Sequence, residues 1–224
     1  PRRESVVKGR SHCPVCGRTL SAAELLPCLS FLLQGGKCRG CGAKIPARDF
    51  WIEVLGGLCS CACAYAFGGE PAQAALAFVV LGILTVVALM DIDTLEIYDR
   101  FPALLFVCGI AAHILIPSLG IKSRLIGCVI VSVPMLLLAL IVPGGFGGGD
   151  IKLMFGAGFF LGAKLTVVAA FIGILLGGGF GALLLAQKKA NRKSQFAFGP
   201  FLCIGIAIAM FFGETIADWY MGLL

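Results

Sequence analysis

Between two long apolar runs, the chain reads Gly144-Gly145-Phe146-Gly147-Gly148-Gly149-Asp150-Ile151-Lys152. The five glycines of this stretch let the backbone adopt positive φ and come close to a ligand or to another part of the chain. Asp150 is costly at the edge of an apolar run, because an ionisable group there needs a specific reason. A flexible turn with a solvated acid is one explanation. A phosphate-binding loop is not indicated, because the glycine spacing fits neither common phosphate-binding motif and no predicted strand precedes it.

The composition of the whole chain is that of a membrane protein. Of the 224 residues, 59% are hydrophobic and 13% are charged, and the mean hydropathy is +0.99. We therefore expect an all-α polytopic membrane protein with a small polar segment, embedded in a lipid bilayer. The net charge of +6 does not indicate nucleic-acid binding, because the basic residues are not interleaved with exposed aromatic residues. The chain begins at Pro1, with neither a signal peptide nor an initiator Met, and the missing Met leads us to expect that an N-terminal piece has been removed.

Seven apolar segments follow the polar N-terminal segment and predict about seven transmembrane helices. Most are close to the length of about 20 residues with which a helix crosses a bilayer. They lie at 51–68, 72–90, 101–117, 125–142, 151–162, 164–186 and 197–213, and polar turns at 68–71, 120–124 and 187–195 join some of them. Segment 151–162 is short and rich in glycine, so we expect it to be tilted or only partly spanning. Gly173, Gly177 and Gly181 recur every four residues, which predicts close contact with a neighbouring helix.

The distribution of lysine and arginine predicts the orientation in the membrane. If residues 1–50 lie inside and each segment crosses once, fifteen basic residues lie inside and three, Lys122, Arg124 and Lys164, lie outside. Basic residues accumulate on the cytoplasmic side of membrane proteins, so this arrangement is favoured. It places the N-terminal segment, the acidic run 91–99 and the glycine-rich stretch at the cytoplasmic face.

The polar segment 1–50 carries two C-x-x-C pairs with 21 residues between them. The pairs are Cys13-Pro14-Val15-Cys16 and Cys38-Arg39-Gly40-Cys41, and a glycine follows each of them. Two such turns can close a tetrahedral site around Zn²⁺, which would stabilise a segment too short to bury a core of its own. Two disulfides are the alternative, but they need an oxidising compartment, and the predicted cytoplasmic location favours zinc. Between the pairs, the apolar residues 22–33 predict a short helix that lies against the membrane or packs on the zinc site.

A cluster of acids directly follows the second apolar segment. Its members are Asp91, Asp93, Glu96 and Asp99. One helix out, a turn and one helix back fit between this run and Asp150, so an acid of the run can meet Asp150 at one membrane face. Two close carboxylates cannot both ionise easily, and such a pair can activate a water and protonate a leaving amine. The spacing does not decide between Asp91 and Asp93, and an ordinary solvated loop accounts for Glu96 and Asp99.

In combination, these motifs resemble the type IV prepilin peptidases of the bacterial inner membrane. These are bifunctional leader peptidase/N-methyltransferases and aspartic proteases of the GxGD type. The resemblance covers nearly the whole chain and rests on the stretches 11–16, 36–42, 48–53, 91–99, 147–152 and 198–201. The chain departs from the family where Tyr98 precedes Asp99 in place of the usual proline. It departs again where Arg48-Asp49-Phe50 replaces an R-Y-P-like sequence.

The resemblance implies roles for individual residues. Asp91 and Asp150 would be the catalytic aspartates, supported by a loop that contains Gly147, Gly149 and Lys152. A structural Zn²⁺ would be held by Cys13, Cys16, Cys38 and Cys41. Glu53 would serve a methyltransferase activity whose methyl donor is S-adenosyl-L-methionine. The segment 1–50 would then be a cytoplasmic zinc-binding segment linked to methyl transfer, and 51–224 a transmembrane aspartic peptidase domain.

The function implied by the resemblance is the processing of type IV prepilin or pseudopilin precursors. The enzyme would cleave their basic leader peptide after a glycine at the cytoplasmic membrane face, and then methylate the new N-terminal amine. Two other classes remain open. One is a zinc-bearing membrane anchor or binding protein without catalysis, in which the acids are structural. The other is a transporter that uses intramembrane acids, although transporters usually place them near the bilayer midplane and show repeated halves.

Overall fold

The computed structural model describes residues 10–115, 119–142, 145–187 and 196–223. Within these ranges the chain is helical, and its extended pairing is confined to two isolated bridges, His12 with Thr19 and Lys37 with Lys44. The helices are a 3₁₀ helix at Ala22–Leu25, α1 Leu29–Leu33, α2 Ala47–Phe67, α3 Pro71–Thr94, α4 Arg100–Leu115, α5 Ile121–Ile130, α6 Ser132–Ile141, α7 Gly148–Leu161, α8 Ala163–Ala186 and α9 Gly199–Met221. They belong to two compact units, Pro1–Ala62 and Cys63–Leu224. The predicted all-α class is confirmed, whereas the functional division into 1–50 and 51–224 stays a prediction.

Five helical stretches are long and apolar enough to cross a membrane. They are α2, α3, the stretch Ile121–Ile141 formed by α5 and α6, α8 and α9. The protein is therefore a multi-pass membrane protein. Helix α4 has 16 residues and α7 has 14, so α7 is about 21 Å long and shorter than an apolar layer of about 30 Å. All seven predicted apolar segments contain helix, but a count of about seven crossings is not confirmed.

Some of the predicted boundaries lie outside the described residues. This applies to Gly144, to the end of segment 101–117 beyond Leu115, and to most of the predicted turn 187–195. The prediction for residues 22–33 can be checked and is wrong in one respect, because a 3₁₀ turn and α1 stand where one helix was expected. Pro27 explains the break, since a residue before proline is driven out of the helical region, and Leu26 is extended with ψ 119°.

The predicted segment 125–142 begins four residues earlier and is interrupted. Helix α5 starts at Ile121, and α6 follows it after Val131, whose φ of −108° departs from helical geometry. Pro134 explains the interruption, because it has no N–H to donate to the carbonyl of Ile130. The predicted outside turn 120–124 is therefore wrong for Arg124, which lies in the first turn of α5 and is fully buried.

The short helix α7 forms the centre of the unit Cys63–Leu224, in contact with α4, α5, α6, α8 and α9. Its glycines make this crowding possible. A Cβ on Gly156 would collide with the carbonyl of Pro102, and a Cβ on Gly158 would collide with that of Gly127. The glycine content that suggested a partly spanning segment therefore lets helices surround α7 on several sides. As a result, the first turn of α7, which carries Asp150, is held in place by its neighbours.

Helices α8 and α9 pack closely against each other through glycine. A Cβ built on Gly173 would lie 2.9 Å from Leu202 Cδ2, and one built on Gly177 would lie 2.5 Å from Phe198 Cε2. The predicted role of the glycines spaced four residues apart is confirmed at these two positions. This contact positions the beginning of α9, and with it Gly199.

Candidate functional site

The two aspartates singled out by the sequence line one cavity. Asp91 lies near the end of α3 and Asp150 in the first turn of α7, with only 6% and 7% of their surfaces exposed. The cavity has a volume of about 350 Å³. The loop after α3 and the turn before α7 supply the rest of its lining, namely Leu95, Glu96, Ile97, Tyr98, Asp99, Gly147, Gly148, Gly149 and Lys152. Two buried carboxylates thus face the same space.

Burial distinguishes Asp91 from its neighbour Asp93. Asp91 is buried and lines the cavity, whereas the side chain of Asp93, two residues later, is exposed and is not part of the cavity lining. Residues two positions apart on a helix do not share a face, so Asp91 and Asp93 point in different directions. The spacing in the sequence left this choice open, and the packing of α3 against the other helices makes it.

Gly199, the first residue of α9, binds Asp91 directly. Its backbone N–H donates a hydrogen bond of 2.8 Å to Asp91 Oδ2. A Cβ built on Gly199 would lie 2.8 Å from the same oxygen, so a larger residue cannot occupy the position without moving the carboxylate. The N-terminus of a helix also carries a partial positive charge that favours an anion. Gly199 was not among the predicted site residues, although it belongs to the stretch 198–201 that supported the family resemblance.

Asp150 keeps one oxygen without a protein partner. Its Oδ2 accepts a hydrogen bond of 3.3 Å from the backbone N–H of Gly147, whereas its Oδ1 is buried and has no partner among the described residues. A buried polar atom without a partner is rare in folded proteins and often indicates a bound water or a functional role. Oδ1 is therefore available for a water or a substrate group in the cavity.

Ile97 packs against glycines from both sides of the cavity. A Cβ built on Gly149 would lie 2.8 Å from Ile97 Cβ, and one built on Gly199 would lie 3.2 Å from Ile97 Cδ1. Leu95, with φ 55°, turns the chain at the end of α3 and brings the loop over the aspartates. Ile97 thus fills the space on the side of Gly149 where a Cβ would lie. Gly148 has nothing within 4 Å of a built Cβ and is the open position of the turn.

Lys152, predicted as part of the supporting loop, lines the cavity but is paired with another acid. Its Nζ lies 2.7 Å from Oδ1 of Asp99, and both side chains are exposed. Exposed pairs of this kind contribute at most about 1 kcal/mol to stability. Neither Asp91 nor Asp150 forms an ion pair with a residue in the part of the chain that the structure describes. The two aspartates therefore keep their proton-transfer capacity for each other and for whatever enters the cavity.

The four paired cysteines of the N-terminal unit lie together. The sulfur atoms of Cys13, Cys16, Cys38 and Cys41 are all within 4.8 Å of one another. Each pair forms its own turn, and the two turns are of the same kind. Gly17 N–H donates to Cys13 O at 2.9 Å in the first, and Gly42 N–H donates to Cys38 O at 2.8 Å in the second. Each of these glycines has φ 71°, in the left-handed region that glycine adopts without steric cost. Two copies of one turn thus form a cluster that could hold a metal ion.

The geometry of the cluster fits a tetrahedral metal. With Zn–S bonds of about 2.3 Å, tetrahedral sulfurs lie about 3.8 Å apart. Cys13 Sγ and Cys41 Sγ are 3.9 Å apart. The backbone N–H groups of Cys41 and Gly40 lower the pKa of the Cys38 thiol to about 6, and those of Cys16 and Val15 lower the pKa of Cys13. The turns therefore favour the thiolate form that binds a metal at Cys13 and Cys38. At Cys41 the Ala43 N–H also favours the thiolate, but burial and the neighbouring thiols outweigh it and raise the pKa to about 11.

An ion pair between the exposed Arg18 and the buried Glu24 supports the two cysteine turns from one side. Arg18 Nη2 lies 2.5 Å from Glu24 Oε1, and Glu24 Oε2 accepts hydrogen bonds from the N–H and the hydroxyl of Ser21, both at 2.9 Å. Arg18 follows the first cysteine turn and also touches the second, since a Cβ on Gly40 would lie 2.8 Å from Arg18 Nε. Residues 22–33 were expected to pack on the metal site, and the 3₁₀ turn does so through the contact of Glu24 with Arg18.

Glu53 lines a separate cavity in the N-terminal unit, of about 310 Å³. Its Oε2 accepts a hydrogen bond of 2.7 Å from the backbone N–H of Cys28, the residue with φ 58° that precedes α1. Phe31 and Phe50 also line this cavity, and their rings stack with centroids 4.9 Å apart. Aromatic faces and a carboxylate are features that suit a ligand with a cationic group.

The sites described above fall within two sequence families. Residues 1–67 match the Bacterial Peptidase A24 N-terminal domain, and residues 78–182 match the Type IV leader peptidase family. The prepilin leader peptidase/N-methyltransferase of Bacillus subtilis (strain 168) is 33% identical over 99% of this chain and 89% of its own length. The chain belongs to the type IV leader peptidase family. The family match contains Asp91 and Asp150, whereas the cysteines and Glu53 lie in the N-terminal match.

Two other relatives of this chain carry the same name as the Bacillus subtilis protein. The prepilin leader peptidase/N-methyltransferase of Aeromonas salmonicida is 29% identical over 99% of this chain and 78% of its own length. That of Aeromonas hydrophila is 30% identical over 95% of this chain and 74% of its own length. No solved structure matches the chain at a significant level.

Proposed function

We propose that this chain cleaves the basic leader peptide from type IV prepilin or pseudopilin precursors and then methylates the new N-terminal amine. The observation that carries the proposal is the pair of buried carboxylates, Asp91 and Asp150, on one cavity. The names of the relatives support both the substrate class and the second reaction. A zinc-bearing anchor without catalysis and a transporter are not favoured, because these relatives are named as peptidases and the two acids face a common cavity.

Hydrolysis by this site needs one proton shared between two carboxylates. Close carboxylates in a buried site disfavour double ionisation, so one is neutral and the other charged. We assign the water to Asp150, whose Oδ1 has no partner among the described residues. The charged carboxylate takes a proton from this water as its oxygen attacks the scissile carbonyl, and the neutral one protonates the carbonyl oxygen. The C–N bond then breaks as the leaving amine takes up a proton, and the pair returns to its starting state.

The Gly199 N–H and the loop after α3 hold this pair for the reaction. Gly199 fixes one oxygen of Asp91 and leaves the carboxylate a single orientation, which reduces the cost of aligning it with the substrate. Gly148 is the open position of the turn before α7, and we assign the extended substrate backbone to its side of the cavity.

The orientation in the membrane follows from the basic residues. With residues 1–50 inside, the positive-inside rule places the ends of α3 and the beginnings of α7 and α9 at the cytoplasmic face, and the aspartate cavity with them. This assignment requires about seven crossings, in which the short helices α4 and α7 also span. A short, glycine-rich helix can cross if the bilayer thins locally or neighbouring helices cover its ends. The bacterial inner membrane is the compartment that fits the family.

We assign Zn²⁺ to Cys13, Cys16, Cys38 and Cys41, because their sulfur spacing and thiolate-favouring turns fit the ion. Bound there, Zn²⁺ supplies a structural crosslink and no open coordination position. The turns at Gly17 and Gly42 hold the ligands, and Arg18 with Glu24 packs against them.

We assign S-adenosyl-L-methionine to the cavity that contains Glu53, Phe31 and Phe50. The bound molecule would supply an activated methyl group on a cationic sulfur. The stacked rings and the Glu53 carboxylate fit that cation, and Glu53 also holds the Cys28 loop in place. The role of Glu53 toward the substrate amine would be to orient it and to accept its proton.

The proposal is tested by incubating the purified full-length chain with a synthetic precursor that has a basic leader followed by an apolar helix. Mass spectrometry of the product should show loss of the leader and, with S-adenosyl-L-methionine present, the addition of one methyl group to the new N-terminus. Cleavage that persists after Asp91→Asn and Asp150→Asn are combined would contradict the assigned site. Methylation without prior cleavage would contradict the proposed order of the two reactions.

A further inference from the structure

Arg124 is a buried cation in an otherwise apolar part of the molecule. It lies in the first turn of α5 and has no exposed surface. Its Nη1 donates to the carbonyls of Phe160 at 2.9 Å and Phe159 at 3.1 Å, in the last turn of α7, and lies 3.5 Å from that of Gly109. Its Nε and Nη2 have no partner among the described residues. Arg124 therefore caps the C-terminus of α7 with one nitrogen and keeps two others unused.

Three carbonyl oxygens do not neutralise a buried guanidinium. The end of a helix contributes only about half an elementary charge of opposite sign, and burying an ion without a counter-ion is strongly unfavourable. Among the described residues, Glu214 is the candidate counter-ion for Arg124, because it lines the same cavity. Glu214, however, lies 2.5 Å from Lys164 Nζ, which also binds Asp218 at 2.8 Å. The structure thus commits Glu214 to Lys164 and leaves Arg124 without an anion.

The cavity beside Arg124 has a volume of about 190 Å³ and mostly apolar walls. Leu76, Leu119, Leu161, Leu165 and Met210 form much of its lining. It lies where α3 begins and α7 ends, at the opposite end of these helices from the aspartate cavity. A single cation among apolar walls suits an amphiphile that has one anionic group and hydrocarbon chains.

We propose that this cavity binds an anionic phospholipid through its phosphate, with Arg124 as the anchor. The unused Nε–H and Nη2–H form the fork with which arginine binds two oxygens of a phosphate. The phosphate supplies the missing negative charge inside the cavity, and the acyl chains, which are too large for about 190 Å³, extend from it into the bilayer. Because Arg124 has no exposed surface, the lipid reaches it when a flexible side chain such as Met210 changes rotamer. Inorganic phosphate offers the same oxygens but gains nothing from the apolar walls.

The site links lipid binding to the catalytic helix. Arg124 holds the last turn of α7, and Asp150 lies in its first turn. A lipid that neutralises Arg124 would stabilise this end of α7 within the helix bundle, and a ligand that binds only the folded state raises the melting temperature in a saturable way.

The test uses the full-length chain, delipidated in detergent, and measures its melting temperature against added lipid. Phosphatidylglycerol should raise the melting temperature to a plateau at a molar excess of a few-fold over the protein. Phosphatidylcholine should raise the melting temperature much less. Inorganic phosphate at the same phosphorus concentration should have no effect. Equal effects of phosphatidylglycerol and phosphatidylcholine, or an equal effect of inorganic phosphate, would overturn the lipid assignment.

Variants separate the site from general effects of lipid on a membrane protein. Arg124→Gln should abolish the plateau, and Arg124→Lys, which keeps the charge but not the fork, should weaken it. Lys122→Gln removes the same charge from an exposed position on the same helix and should leave it unchanged. Leu76→Trp fills the cavity without touching the cation and should also abolish the plateau, which keeps the test valid if Arg124→Gln fails to fold. An unchanged plateau in Leu76→Trp or Arg124→Gln would overturn the proposal.

Discussion

The backbone N–H of Gly199 binds Oδ2 of Asp91 at 2.8 Å, although 108 positions separate the two residues in the chain. The bond joins the first residue of α9 to the end of α3. It leaves no space for a side chain at position 199, and it gives a buried carboxylate a fixed orientation. The glycine in the stretch 198–201 is thus explained by the aspartate that it holds.

Replacing Gly199 should therefore impair catalysis more than folding. In Gly199→Ala, the new methyl group displaces the carboxylate of Asp91, and a displacement of about 1 Å can lower a rate on the order of 100-fold. Leader cleavage, measured as kcat/KM, should fall by that order. Gly178→Ala is the matched control, because a Cβ at Gly178 meets nothing within 4 Å. Cleavage at the wild-type rate in Gly199→Ala would show that the orientation of Asp91 is unimportant.

The two aspartates should behave as one unit. Asp91→Asn and Asp150→Asn keep the side-chain volume but remove the ionisable group, so each should lower cleavage on the order of 1,000-fold or more. The double variant should be little worse than either single one, since residues that act together are not additive when removed. Asp93→Asn should retain substantial activity because its side chain is exposed outside the cavity. Normal cleavage by Asp91→Asn together with loss of cleavage in Asp93→Asn would show that Asp93 is the first catalytic aspartate.

The cysteine cluster should bind one zinc ion per chain. Elemental analysis of purified protein should give about one equivalent of zinc, and Cys38→Ser should lose it, because the fourth ligand of a closed tetrahedral site is missing. Cys28→Ser serves as the control, since Cys28 lies between the pairs but outside the cluster. Two disulfides and no metal in freshly purified protein would rule out this interpretation.

Methyl transfer and cleavage should respond differently to changes in the N-terminal unit. Glu53→Gln should lower methylation strongly and leave leader cleavage nearly unchanged, because Glu53 and the aspartates lie in different compact units. Disruption of the cysteine pairs should likewise lower methylation more than leader cleavage. Both activities are read from one mass spectrum of the same reaction. An equal loss of both would mean that the unit is required for folding rather than for methyl transfer.

The N-terminal unit should lose stability as Glu24 becomes protonated. The Ser21 N–H, then Arg18 and the Ser21 hydroxyl, lower the pKa of Glu24 from 4.5 to about 2. Because the pKa of the folded state is depressed, the stabilisation is complete above pH 4.5 and is lost as pH falls toward 2. Glu24→Gln should therefore weaken hydrogen-exchange protection of residues 18–25 at pH 7, and Glu70→Gln should not. If Glu24→Gln and the wild-type protein showed equal hydrogen-exchange protection at pH 7, the stabilising role of Glu24 would be contradicted.

Several features of the protein were predictable because they depend on local sequence. Composition alone identifies a multi-pass helical protein, since apolar runs of this length have no other stable environment. The identical spacing of the two cysteine turns predicts a common site, because each C-x-x-C-G turn is formed by its own backbone. The glycines of α8 predict a close helix contact, although not which helix provides it.

The errors have one distant cause and one local cause. Arg124 was placed in the polar turn 120–124 because it stands between two apolar segments, but the carbonyls at the end of α7 bind it inside the bundle. Residues 22–33 were expected to form one helix because they are apolar, and Pro27 divides them.

The sequence by itself determined that apolar helices cross a membrane, that four cysteines form two equal turns, and that acids accompany a glycine-rich stretch. Each of these depends on composition or on residues a few positions apart. Only the tertiary structure decided that Asp91 rather than Asp93 faces Asp150, that Gly199 holds it, and that Arg124 is buried. These relationships join helices that are far apart in the chain, and the direction in which a helix points a side chain is set by what packs against that helix.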